Sequence, residues 1–249
     1  MRTRQEVDRV LALRAEGLNN SEIARRTGIS RGTVKDWVAG RVPDLDRSRR
    51  RGPKATCPVC RGEPHTLPPA AYTYLLGLYL GDGGLYPYPR GVYRLRIVCA
   101  DAYPRLMRRC EEAMAEVLPS KVGRSAKIGC TEVGSYSKHW ICLFPQHGPG
   151  RKHGREIELT AWQQEVIDRD PCPLLEGLLH SDGCRVDNWV NGTPCPRYHF
   201  TNFSDDIKLI FGWACDALGI EWRPHNARSL SVARRTSVAL LDEFVEPKR

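Results

Sequence analysis

Two stretches of the chain, one hundred residues apart, carry the same pattern: residues 74–83 read YLLGLYLGDG and residues 174–183 read LLEGLLHSDG. Each stretch is apolar over about two helical turns, which predicts a short buried helix. Small residues recur one turn apart on one face of each predicted helix: Gly77, Gly81, Gly177 and Ser181. Two faces without bulky side chains let helix axes approach closely. We therefore expect the two helices to pack against each other.

Both predicted helices end at an Asp-Gly step. Asp82 and Asp182 are followed by Gly83 and Gly183, which tolerate the backbone conformation that closes a helix. If the two bare faces pack together, the two carboxylates lie side by side. Removal of two adjacent carboxylates from water costs folding free energy unless they hold a cation. Hard divalent cations prefer oxygen ligands. The sequence therefore predicts a site for a hard divalent cation at Asp82 and Asp182.

The two stretches resemble the nine-residue signature of the LAGLIDADG family of DNA-cleaving proteins, which maps onto residues 75–83 and 175–183. The terminal Asp-Gly is present in both copies. Each copy departs from the eponymous letters at four places: Leu76, Tyr79, Leu80 and Gly81 in the first, and Glu176, Leu179, His180 and Ser181 in the second. The alternative is that two unrelated core helices each end in Asp.

The resemblance implies an α+β fold in which two pseudo-symmetric αββαββα repeats form a saddle over duplex DNA. We assign the repeats to residues 67–170 and 171–249. Alternating stretches and a helix follow each motif in the expected order. In the first repeat, residues 122–130 and 140–144 are predicted to form the second hairpin.

Metal-dependent cleavage of duplex DNA is the activity that the resemblance implies, with Asp82 and Asp182 holding Mg²⁺. A basic residue would complete such a site. One candidate is Arg234, at the end of the last predicted strand. A second is Lys152, in a segment rich in Gly and Pro at residues 144–153, where it would neutralise the scissile phosphate. The alternative for that segment is a flexible connection.

Basic residues on the predicted strands are candidates for contacts with DNA: Arg94, Arg96, Lys127, Arg185, Arg197 and Arg228. For each of them the alternative is a solvated charge, because sheets often carry Lys and Arg at their edges.

Residues 1–40 are predicted to form a small all-α domain of three helices. The pattern resembles the helix-turn-helix of resolvases, transposases and many repressors. The third helix would enter the major groove and present Ser30, Arg31, Thr33, Lys35 and Asp36. Residues 1–54 contain 14 Lys or Arg and 7 Asp or Glu, which favours DNA over a protein partner.

Residues 41–66 read as a basic linker. Its arginines, among them Arg49, Arg50 and Arg51, suit the negative potential of a minor groove, or belong to a solvated linker. Cys57 and Cys60 have the two-residue spacing of zinc-binding thiolates, and His65 is a candidate third ligand for Zn²⁺. A surface turn beside the linker is the alternative.

Composition sets the remaining limits. The formal net charge of +9 favours a polyanionic partner such as double-stranded DNA. The apolar stretches are too short to span a bilayer, so no membrane partner is expected. With no secretory pattern at the start, we expect a cytoplasmic, nucleoid-associated protein, monomeric because both motif copies lie in one chain. A non-cleaving transcriptional regulator that binds an operator is the alternative to a nuclease.

Overall fold

The computed structural model describes residues 3–42 and 57–248. These residues fall into two compact units, with the boundary between residues 54 and 55. The arginines at positions 49–51 lie outside the described residues. Each unit is described below by itself.

The first unit consists of helices α1 (Arg4–Ala15), α2 (Asn20–Thr27) and α3 (Arg31–Val38). Its core is formed by six buried side chains: Val7, Val10, Ile23, Ile29, Val34 and Trp37. Asn19 caps α2 and Ser30 caps α3. Gly28 ends α2 with φ 68°, which makes the tight turn into α3. The predicted helix-turn-helix module is confirmed.

The second unit contains two repeats of the same element order. The first consists of α4 (Pro69–Leu80), β1 (Gly83–Tyr88), β2 (Val92–Ala100), α5 (Pro104–Val117), β3 (Val122–Lys127), β4 (Cys130–Ser137), α6 (Trp140–Leu143) and α7 (Ala161–Arg169). The second consists of α8 (Cys172–Asp182), β5 (Gly183–Val186), the short β6 (Trp189–Val190) and β7 (Thr193–Pro194), β8 (Arg197–Thr201), α9 (Asp205–Ala217), β9 (Arg223–Asn226), β10 (Ser229–Val232) and α10 (Arg235–Phe244).

The two four-stranded sheets have equivalent topology. Their strand orders are β1-β2-β4-β3 and β5-β8-β10-β9, antiparallel throughout. The glycine after each Asp pairs with an apolar residue of the second strand, Gly83 with Ile97 and Gly183 with Phe200. The predicted α+β class with two αββαββα repeats is confirmed.

The prediction of a strand at residues 140–144 is wrong, because this segment forms α6. Trp140, Leu143 and Phe144 are all buried, and their spacing of three and four residues is that of one helical face. The strand that pairs with β3 is β4, which precedes residues 140–144 in the chain.

Helices α4 and α8 pack backbone to backbone at their glycines. A Cβ atom added at Gly77 would lie 2.6 Å from the carbonyl oxygen of Leu174, and one at Gly177 would lie 2.2 Å from that of Tyr74. Real Cβ atoms do not approach this closely, so only glycine fits at either position. The contact fixes where the two helices end relative to each other.

Glu176, one of the departures from the family signature, is 5% exposed within this helix pair. It pairs with Arg109 of α5, whose Nη2 donates to Glu176 Oε2 over 2.7 Å. The guanidinium of Arg109 also lies over the ring of Tyr74. The charge of the buried Glu176 carboxylate is therefore compensated by Arg109, which lies outside the motif.

No helix within residues 3–42 and 57–248 combines the length and the apolar character needed to cross a membrane.

Candidate functional site

Asp82 and Asp182 lie at the C-terminal ends of α4 and α8, where the close helix packing brings them together. Asp182 Oδ2 would lie 3.0 Å from a Cβ atom added at Gly81, so its carboxylate reaches the end of the opposite helix. Ser181 also contacts Gly81 across the interface, and its hydroxyl donates to carbonyl oxygens within α8. We call Asp82 and Asp182 the acidic pair.

The pKa of Asp82 is raised to about 6, first because surrounding protein atoms withdraw water from it and second because Asp182 is negatively charged. Removal from water also raises the pKa of Asp182, against a hydrogen bond of 2.6 Å donated by Asn202 Nδ2. Among the described residues, none donates a hydrogen bond to the Asp82 carboxylate. The acidic pair therefore carries negative charge that the protein only partly compensates.

Two lysines, one for each helix, supply that partial compensation. Lys152 Nζ donates to the carbonyl oxygens of Gly81 over 2.6 Å and of Gly83 over 2.9 Å, and also to Tyr79. Lys248 Nζ donates to Gly183 over 2.6 Å and to Ser181 over 3.3 Å. Ammonium groups are favourable at these helix ends, where carbonyl groups lack helical partners.

The charges of the two lysines also act on the acidic pair, where each lowers the pKa of both carboxyls. Burial lowers the pKa of Lys152 to about 8, so its ammonium form still dominates at neutral pH. At pH 7 the ammonium group of Lys152 therefore faces the ionised Asp82 carboxylate.

An open cleft of about 480 Å³ lies beside Asp182 and Lys152. Basic and aromatic side chains line much of it, together with Asn202: Tyr86, His147, Arg151, His153, Arg155 and Phe203. Asp82 and Lys248 line a smaller cavity of about 90 Å³. A polyanion that enters the larger cleft would meet a positively charged wall and then Asp182 of the acidic pair.

The donor set of the acidic pair fits a hard divalent cation. It offers carboxylate oxygens with raised pKa values, which a bound Mg²⁺ would lower because it favours the ionised form. The neighbouring carbonyls of Gly81 and Ser181 accept hydrogen bonds from the two lysines. The carboxylates are therefore the ligands that the site presents most directly.

Arg234, the other candidate for the basic residue of the site, is not brought to the acidic pair. It forms an ion pair with Glu221 and lines a separate cavity with Arg197 and Arg223. Arg234 lies in the connection between β10, which ends at Val232, and α10, which begins at Arg235. This connection is not beside the ends of α4 and α8. Lys152 is the basic candidate that reaches the acidic pair.

On the first sheet, Arg94 and Arg96 lie on the face opposite the buried Leu95 and Ile97. Both arginines pair with Glu132 on β4, at 3.2 and 3.0 Å. Their charges are therefore shared with one carboxylate. Lys127 is exposed at the end of β3.

On the second sheet, Arg197 occupies the position equivalent to Arg94, three residues before the partner of the motif glycine. Ser229 stands where the first sheet has Glu132, so Arg197 has no equivalent acidic partner. Its Nε is buried and makes no hydrogen bond with the described residues. Arg228 is exposed and lies over the ring of Phe203, at 4.6 Å from the centroid. This sheet face is thus the less neutralised of the two.

Arg185 points to the other face. It pairs in register with the buried Tyr198 and donates to Asp242 of α10 over 2.8 Å. Since side chains alternate between the faces of a strand, it lies on the helix-covered side of the sheet. Its predicted contact with DNA is not supported by this position.

Within α3 the five candidates differ in role. Ser30 and Thr33 share the N-terminal cap, with 2.8 Å between their hydroxyl oxygens. Asp36 forms an ion pair of 2.9 Å with Arg41. Arg31 and Lys35 are exposed, which leaves them as the cations that α3 presents.

The predicted cysteine pair acquires different partners from the one expected. Cys57 and Cys60 lie with His139 and Cys142, whereas His65 is not in the group. His65 belongs to a separate helical turn at Pro64–Thr66, while α6 brings the other two residues. Residues 57–66, assigned to the linker from sequence, fold with the second unit, where Cys57 is part of the core.

Four residues of these sites were missed: Asn202, Lys248, His139 and Cys142. Asn202 and Lys248 meet the acidic pair only through the packing of distant segments, and nothing local marks them. His139 and Cys142 did carry a signal, a spacing of three residues that complements the Cys57–Cys60 pair. That signal was hidden by the prediction of a strand at residues 140–144.

Comparison with known proteins gives one family match. Residues 2–41 match the family model of the homeodomain-like domain. This range covers the described part of the first unit except its last residue, Val42. A search of the curated proteins finds no match to the sequence.

Several solved structures are similar over most of the chain. Variants of the homing endonuclease I-DmoI share 17% identity, over 71% of this chain and 96% of theirs, with a TM-score of 0.47. The N-terminal LAGLIDADG domain of WhiA shares 12% identity over 80% and 88%, with a TM-score of 0.45. The homing endonuclease I-WcaI, bound to its DNA recognition sequence, shares 9% over 81% and 94%, with a TM-score of 0.45.

Proposed function

We propose that this protein is a monomeric double-stranded DNA-binding protein of the LAGLIDADG type that cleaves DNA at specific sites with a divalent metal ion. The observation that carries the proposal is the acidic pair, held between two helices at the edge of an open basic cleft. A carboxylate pair with raised pKa values suits metal-assisted chemistry better than a purely structural role.

DNA is the partner that the charge distribution supports. The chain carries a net charge of +9, and the cleft presents Arg151, Lys152 and Arg155. Arg197 and Arg228 are placed to meet phosphates from the second sheet. The helix-turn-helix module adds Arg31 and Lys35. Sequence-independent contacts of this kind supply much of the affinity for DNA.

In the proposed mechanism, Asp82 and Asp182 would hold Mg²⁺. When bound, the metal lowers the pKa of a coordinated water and offsets charge on the reacting phosphate. Asn202 orients the Asp182 carboxylate through its hydrogen bond. Lys152 fixes the carbonyls at the end of α4 and places a positive charge beside the position of the phosphate. Lys248 acts in the same way at the end of α8.

A non-cleaving regulator is the second candidate, and a specific observation favours it. Lys152 and Lys248 each lower the pKa of both carboxyls, so the protein itself offsets part of the negative charge without a metal ion. Such a centre would stabilise the helix pair, while the sheets and the helix-turn-helix recognise an operator.

One experiment separates the two functions. The purified protein is incubated with a library of random duplex DNA in Mg²⁺ or in Ca²⁺, and both bound and cut molecules are sequenced. Site-specific nuclease activity predicts that cuts in Mg²⁺ converge on a sequence that is also enriched among bound molecules in Ca²⁺. An enriched sequence that remains uncut in Mg²⁺ would establish the regulator instead.

The pH dependence of cleavage follows from the acidic pair. Metal binding needs ionised carboxylates, so at a subsaturating Mg²⁺ concentration the single-turnover rate should fall below pH 6, approaching about tenfold per pH unit, and level off above it. The pKa of Lys152, about 8, sets the upper end of the plateau. A rate unchanged between pH 5 and 7 would contradict this assignment.

The raised pKa of Asp82 also means that the metal-free protein loses stability as the pH rises through about 6.

Substitutions in α3 test the helix-turn-helix. Arg31→Ala and Lys35→Ala should each weaken binding to the selected duplex and reduce the salt dependence of the binding constant by about one charge. Fluorescence anisotropy at several salt concentrations measures both quantities. Arg4→Ala, an exposed residue of α1, is the matched control. Equal effects of all three substitutions would indicate that α3 is not the recognition helix.

A further inference from the structure

A cluster of three cysteines and one histidine lies away from the acidic pair. The ligand atoms of Cys57, Cys60, His139 and Cys142 all lie within 4.8 Å of one another. Cys60 Sγ is 3.4 Å from His139 Nδ1 and 3.3 Å from Cys142 Sγ. Sulfur atoms in a tetrahedral zinc site, with zinc–sulfur bonds of about 2.3 Å, are about 3.8 Å apart. The sulfur atoms of Cys60 and Cys142 are thus about 0.5 Å closer than in an occupied site of about 3.8 Å, and the other ligand atoms lie within 4.8 Å.

The first half of the cluster is a turn shaped to present two thiolates. Arg61 N–H donates to the carbonyl oxygen of Cys57 over 3.2 Å, and Gly62 closes the turn with φ 74°. The backbone N–H groups of Val59 and Cys60 are directed at the Cys57 thiol. These donors oppose the effect of burial, which raises the pKa of the Cys57 thiol.

The second half comes from α6. His139 precedes the first residue of this helix and Cys142 lies three positions later, which sets both side chains on the same side of one helical turn. Between and beyond them, Trp140 and Leu143 are fully buried. The two ligands are therefore carried by a segment that the core holds in place.

We propose that Cys57, Cys60, His139 and Cys142 bind one structural Zn²⁺ ion. Four protein ligands of this type close the tetrahedral coordination sphere, which leaves no position for a substrate. The ion would fasten the start of the second unit to α6. The segment that follows α6 carries Lys152, so the zinc site anchors the chain that supplies a cation to the acidic pair.

A disulfide between Cys60 and Cys142 is the competing use of the same residues. All ten cysteines are free thiols in the structure. A disulfide would employ two members of the cluster and leave His139 and the buried Cys57 without a role. The zinc site uses all four.

The test is the metal content of the full chain, purified with a reducing agent and without added chelator, measured by mass spectrometry of the metals. The expected result is one zinc per chain. Cys60→Ser and Cys142→Ser should reduce the zinc content at least roughly tenfold. Cys130→Ser and His65→Ala, which alter a cysteine and a histidine outside the cluster, should leave it unchanged.

Replacement of zinc by Co²⁺ keeps the test decisive if the serine variants fail to fold. The wild-type protein should give the strong visible absorption of tetrahedral cobalt with thiolate charge-transfer bands. His139→Cys should retain the metal with more intense charge transfer, because it adds a fourth thiolate. Reduced wild-type protein that holds no zinc and shows no tetrahedral cobalt spectrum would overturn the proposal. So would equal loss of zinc in the control variants.

Discussion

Gly177→Leu is expected to prevent the second unit from folding, and even Gly177→Ala is expected to lower its free energy of unfolding by about 3 kcal/mol or more. An added Cβ would lie 2.2 Å from the carbonyl oxygen of Tyr74 and 3.1 Å from the Cα of Gly77. Both are main-chain atoms of α4, so the contact cannot be relieved by rotation of a side chain. The two helices would have to separate.

Urea unfolding followed by the tryptophan fluorescence of the second unit measures the effect. Gly123→Ala on β3 is the matched control, because a Cβ there meets no atom within 4 Å. We expect the control to remain close to wild type. Equal stability of the Gly177→Ala variant and the wild type would show that α4 and α8 do not meet at this glycine.

Asp82→Asn and Asp182→Asn are each expected to slow DNA cleavage by about two to three orders of magnitude. Each substitution keeps the shape of the side chain and removes the charge of one metal ligand. Binding of the selected duplex should be unchanged or slightly tighter, because a negative charge near the phosphates disappears. Single-turnover rates and binding constants, measured with the same duplex, separate the two effects.

Asp101→Asn is the control for these variants. Asp101 lies beyond the end of β2 and accepts a hydrogen bond from Thr131, away from the acidic pair. The Asp101→Asn variant should cleave DNA at the wild-type rate. Cleavage that continues undiminished in the Asp82→Asn, Asp182→Asn double variant would remove the acidic pair from the mechanism.

The helix pair is the part of the fold that local sequence predicts best. The glycines at positions 77 and 177 must be small because main-chain atoms face them, and such a requirement leaves a repeated mark in the sequence. The helix-turn-helix is predictable for a similar reason, since its turn glycine and its apolar spacing act over short distances.

Strand faces and short helices were harder to predict. Arg185 was grouped with the other basic strand residues, although alternation from the buried Gly183 already places it on the core side of β5. Residues 140–144 read WICLF, an uninterrupted apolar stretch that fits a short buried strand as well as the helical spacing of α6. In so short a segment the two periods cannot be separated without knowledge of what the side chains pack against.

The charges around the acidic pair could not be predicted from local patterns. Lys248 lies 65 residues after the Gly183 carbonyl that it contacts, and the order of elements alone does not specify that contact. The same holds for His139 and Cys142, which meet Cys60 across about eighty residues. Long-range contacts of this kind depend on the whole fold.

A crystal structure of the protein with its selected duplex and Mn²⁺ would show directly whether Asp82 and Asp182 hold a divalent metal ion. The anomalous signal of manganese locates the metal without reference to its expected ligands. We expect an anomalous peak within about 2.5 Å of carboxylate oxygens of both Asp82 and Asp182. A phosphate of the duplex should lie beside the peak, and Lys152 should remain at the end of α4. A bound duplex with no anomalous peak at the acidic pair, and with Lys152 and Lys248 as its only counter-charges, would contradict the claim.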